Sequence, residues 1–89
     1  MLREIIEDKD VSEVIDAAYI AYNRIRYGWD ALLWLLARNP EVGIELGFGS
    51  HIRIHKQEAY MVYNIPSITV LYKYDEIKVE IKAVKIEED

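Results

Sequence analysis

The chain has 89 residues, 52% hydrophobic and 30% charged, with 11 basic against 16 acidic side chains for a net charge of −5 at pH 7. That fits one globular domain over residues 1–89, able to bury roughly 60–65% of its unfolded surface. It contains no apolar run near the roughly 20 residues a bilayer-spanning helix requires. Zero cysteines exclude disulfides, thiolate metal sites and a cysteine nucleophile. The acidic balance argues against broad, non-specific nucleic-acid binding, which draws on neutralising phosphates. The start, Met1-Leu2-Arg3-Glu4, lacks the basic and apolar regions of an export signal, so the expected location is the cytoplasm.

Residues 2–7, partly β-branched and followed by a polar turn, read as a first strand. Asp10 with Glu13 three residues later resembles a capping box. From there Val11, Val14, Ile15, Ala18, Tyr22 and Ile25 recur at helical spacing. A weak zone follows up to Gly28, because glycine costs about 1 kcal/mol in a helix interior. A second helix is expected over 29–38. It stops where Pro40 drives Asn39 out of the helical region, with Arg38 suiting the negative end of the dipole.

Gly43, Gly47 and Gly49 mark residues 41–50 as a loop, with none of the Gly-Lys-Ser/Thr pattern that cradles phosphate. Residues 51–56 alternate cleanly and read as a strand. Residues 59–64 are strand or ordered loop, and 67–74 with 77–86 form a hairpin turning at Asp75-Glu76. In its second arm Ile77, Val79, Ile81 and Ala83 are expected on one side, with Lys78, Glu80 and Lys82 on the other. The order predicts an α+β fold of two N-terminal helices packed on a small twisted antiparallel sheet.

Within the 51–56 strand, His51, Arg53 and His55 fall on one face, expected to be the uncovered one, with Ile52 and Ile54 turned inward. Together with Lys56 and Lys73 they suggest an anion or RNA-phosphate site in which a histidine moves protons near neutral pH. The plainer reading of the same pattern is a solvated strand face. Two histidines without a convergent third ligand make a poor zinc signature, so no metal and no other cofactor is expected. The aromatics offer partner anchors. Trp29 and Trp34 lie about 140° apart around the helix, so both cannot face one core centre, and an exposed one would suit a partner. Tyr60 and Tyr63 flank a segment beside the basic strand, suited to packing, to a protein interface or to stacking on a base.

Two blocks give the chain a resemblance to a known family. The run Ala31-Leu32-Leu33-Trp34-Leu35-Leu36-Ala37-Arg38-Asn39-Pro40-Glu41-Val42-Gly43 is similar to the second helix of the RelE/ParE superfamily, which ends in (Asn/Asp)-Pro-x-x-Gly. Residues 65–75 followed by Val79-Glu80-Ile81-Lys82-Ala83-Val84 are similar to its closing hairpin. The resemblance covers 29–86 well and 1–28 loosely, and implies a β-α-α-β-β-β order. It implies the toxin of a type II toxin–antitoxin system, a cytoplasmic growth inhibitor neutralised by a cognate antitoxin. Such proteins act either as metal-independent mRNA interferases at the ribosome or by binding DNA gyrase, without membrane or small-molecule cofactor. By that likeness Arg53 and His55 match paired cationic positions on the second strand. Thr69 and Ile86-Glu87 stand where RNA-cutting members commonly carry Arg, a departure that suits the gyrase-binding branch better. A non-toxic member serving only protein assembly is the third reading.

Overall fold

A computed structural model describes residues 2–47 and 49–88. Strand β1 (Glu4–Glu7) leads into helices α1 (Lys9–Ala18) and α2 (Ile25–Arg38), then strands β2 (Ile44–Glu45), β3 (Arg53–Gln57), β4 (Ser67–Tyr74) and β5 (Lys78–Glu87). The strands form one sheet in the order β1-β5-β4-β3-β2. The chain is therefore α+β, but the sheet is mixed, because β1 runs parallel to β5 while the other pairs are antiparallel. The expected all-antiparallel β-α-α-β-β-β pattern is corrected in two ways: by that parallel edge and by the additional short strand β2.

Each helix buries one stripe. Val11 and Ile15 of α1, and Ile25, Trp29, Leu32 and Leu36 of α2, pack on Ile68, Val70 and Tyr72 of β4 and Val79 and Ile81 of β5. A fully buried side chain of this kind contributes about 1.5–3 kcal/mol, so these eleven side chains dominate the stability. Helix α1 starts earlier than its pattern predicts. Asp8 is its N-cap, without a side-chain cap bond, and Asp10 lies in the first turn, so no capping box forms. The break between the helices comes at residues 19–24, and α2 takes in Gly28. Glycine is tolerated there for packing, since a Cβ would stand 2.7 Å from Ile65 Cγ2.

The hairpin turns where the sequence places it. The Asp75 carboxylate accepts from the backbone N–H groups of Ile77 and Lys78 and is held below its usual pKa of 3.8 by those two bonds. A register shift between Leu71 and Tyr72 leaves Lys82 as the extra residue of β5, since Leu71 faces Ala83 and Tyr72 faces Ile81. This bulge moves Ala83 to the side of the sheet away from the helices, and Ile77 lies exposed ahead of the strand. The expected single apolar side of residues 77–83 is thus broken.

A candidate partner-binding groove beside α2

The face of β3 is set by its neighbour. Arg53, His55 and Gln57 pair with Tyr72, Val70 and Ile68, the three β4 residues that point to the helices. Paired residues share a face, so Arg53 and His55 lie on the helix side, while Ile54 joins Leu71 on the uncovered side. This inverts the expected arrangement, and one residue of parity is all the inversion needs. It is sustainable because the polar heads are satisfied where they land. The Arg53 guanidinium donates to the carbonyl of Gly43 at 2.6 Å and reaches that of Glu41 at 3.4 Å. It also lies 5.8 Å from the centre of the Tyr74 ring. Gln57 Nε2 donates to the carbonyl of Gly28 at 2.8 Å. His55 is half-buried, and burial lowers its pKa below the usual 6.5, which favours the neutral ring.

The cationic set predicted from sequence therefore does not converge. Arg53 is a strap holding the α2–β2 connection. His51 sits before β3 in a left-handed conformation with φ 64°. Lys56 borders the mouth of a groove but shares the uncovered face with its partner Thr69, and Lys73 lies on that same face opposite Glu80. Among the described residues no three His, Asp or Glu side chains are grouped to hold a metal ion.

What the fold builds on this side is a groove of about 620 Å³. One wall is Tyr27, Ala31 and Leu35, at positions i, i+4 and i+8 of α2. The other is His55 and Gln57 of β3 with Tyr60, Tyr63 and Ile65 of the β3–β4 connection. That connection is a shaped piece of backbone. Tyr60 pairs with Ile65, residues Met61–Tyr63 make a 3-10 turn, and Asn64 ends it in the left-handed region with φ 59°. The Asn64 side chain donates to Asn23 Oδ1 at 3.1 Å, which fastens the turn to the link between the helices.

The rim is apolar and open. Of its lining, Tyr27 is 71% exposed, Tyr60 60% and Tyr63 56%, and Val62 in the turn between the last two is 85% exposed. Trp34, one turn beyond Ala31, is 55% exposed, and Arg38 lies 5.3 Å from the centre of its ring. Trp29, the other expected partner anchor, is a core residue at 3% exposure. Tyr27, Ala31, Leu35 and Gln57 carry much of the groove; of these the sequence drew attention only to Tyr27, as a packing tyrosine on the helices. The helical spacing of the first three is the signal that could have found them. Compared with known protein families, characterised proteins and solved structures, the chain shows no significant match.

Proposed function

We propose that this chain is a small protein-binding domain that works by seating a partner segment in the groove beside α2, and that it does not cut RNA. The observation carrying this reading is an apolar groove rimmed by exposed aromatics, next to an arginine already committed to two backbone carbonyls. Large aromatics that stay exposed act as anchors when a partner desolvates them, and an amphipathic segment laid along such a groove is a recurrent mode of recognition. Cleavage of a phosphodiester instead needs charge stabilisation together with an acid and a base at one point. Arg53, His55, His51, Lys56 and Lys73 are divided between two faces and a loop, which speaks against that chemistry.

Within the toxin–antitoxin setting implied by the resemblance, this is the binding kind of toxin, ParE-like and cytoplasmic, and the groove is where its antitoxin lies. The test is expression of the chain in a bacterial host with and without the neighbouring reading frame. Growth arrest relieved by the neighbour, with message left uncut in a translation reaction, is the expected result. Trp34→Ala and Tyr63→Ala are expected to weaken the neighbour's grip about tenfold or more each. Transcript cleavage abolished by His55→Ala would overturn the reading, as would capture of the neighbour unaffected by both aromatic changes.

A further inference from the structure

The opposite face of the sheet carries a second, independent feature. Ile44, Ile54, Leu71 and Ala83 stand directly opposite one another across β2, β3, β4 and β5. They make one apolar row over four strands on the side that no helix covers. Ile44 is 73% exposed and Ala83 is exposed too, while Ile54 and Leu71 are half-exposed. Two residues along the strands on one side lie Lys56, Thr69 and Lys85, and on the other side lies Lys73. Acids share this face: Glu80 stands across from Lys73 and pairs with Lys82 at 3.4 Å, and Glu87 pairs with Lys85 at 3.7 Å. Five of the six lysines of an acidic chain belong to β3, β4 and β5.

We propose that this row is a docking surface for an acidic amphipathic helix of a partner protein. Its dimensions and charge select that occupant. Three gaps between strands span about 14 Å, the length of two to three helical turns. An i, i+3/i+4, i+7 stripe on such a helix covers the row, and carboxylates on both flanks of the stripe meet Lys56 and Lys85 on one side and Lys73 on the other. The proposal does not rest on the groove reading, because the two surfaces lie on opposite sides of the sheet and meet only at Lys56.

The test uses the full chain and three fluorescent probes: an amphipathic peptide of about 15 residues with a leucine stripe and glutamate flanks, the same peptide with lysine flanks, and a single-stranded RNA of about 12 nucleotides. Expected are binding of the acidic peptide at least about tenfold tighter than the basic one, weakening with added salt. Leu71→Glu is expected to reduce that binding about tenfold or more, and Ala83→Glu, at an exposed position, to do the same without burdening the fold. Trp34→Ala is expected to leave it unchanged. Equal binding of the two peptides, or none of the acidic one, overturns the proposal. So does tighter binding of the RNA than of the acidic peptide, which would make this a nucleic-acid surface. Loss on Trp34→Ala with no effect of Ala83→Glu would place the peptide on the helix side of the sheet and equally refute it.

Discussion

The Tyr72 hydroxyl is the point on which the connection between α2 and the sheet hangs. It donates to the carbonyl of Pro40 and accepts from the backbone N–H of Gly43 at 2.9 Å, and the whole side chain is buried. Tyr72→Phe keeps the ring in the core and removes only the oxygen. It strands a donor and an acceptor, each costing about 1–3 kcal/mol if water cannot reach it. With the connection free to relax, a loss of about 2 kcal/mol is expected. In a domain this size that lowers the melting temperature by about 8–16 °C. Urea unfolding followed by the fluorescence of buried Trp29 reads the same loss as a lower midpoint at unchanged slope. Gly43→Ala supplies the control, since its Cβ would stand 2.4 Å from that hydroxyl oxygen and 2.9 Å from the Ile54 carbonyl. Removing the hydroxyl relieves part of this clash, so the double variant should lose less than the two single losses added. A Tyr72→Phe loss under about 0.5 kcal/mol, or strict additivity with Gly43→Ala, would refute the claim that this bond organises the connection.

Three further outcomes are expected. Burial, the largest cause, raises the Tyr72 pKa above the usual 10.0. The neutral phenol thus belongs to the folded state, and its contribution is complete below the unfolded pKa and lost as pH rises through the folded one. Stability measured above pH 10 should therefore fall less steeply for Tyr72→Phe than for the parent. Asp75 has the opposite sign. Its depressed pKa gives a contribution present above 3.8 and lost as pH falls through the folded value, so Asp75→Asn should melt lower at neutral pH, with the gap closing in acid. Gly28→Ala gains about 1 kcal/mol of helix propensity, but its Cβ meets Ile65 Cγ2 at 2.7 Å and Gln57 Nε2 at 3.3 Å. Overpacking costs of about 1–3 kcal/mol should outweigh that gain, and hydrogen exchange should quicken across residues 59–66.

The elements that periodicity marks strongly were legible in the sequence. The 67–74 strand, the Asp75 turn and the end of α2 before Pro40 lie where the pattern puts them. Alternation in 51–56, however, reports that a strand has two faces and says nothing about which one is covered. That decision belongs to the β3–β4 register, a tertiary fact. The same limit hid the bulge at Lys82, because a strand pattern read alone assumes an unbroken period of two. Strand β2 escaped because two residues between glycines carry no period at all. The groove was half legible: Tyr60 and Tyr63 stood out as aromatics, whereas the part played by Ala31 and Gln57 depends on what the 3-10 turn brings opposite them.

The neighbours of β5 have a consequence for how the molecule comes into being. Glu4 lies beside Lys78 and Glu7 beside Ile81, so of the five strands the first to be synthesised waits for the fifth. Since β5 separates β1 from β4, a nascent chain that has not yet made it holds two orphaned ribbons and the uncovered undersides of both helices. Closure across so long a stretch is slow compared with helix formation. Assembly is accordingly a late, nearly simultaneous event, and synthesis interrupted before residue 78 should yield an aggregating fragment, not a smaller folded protein.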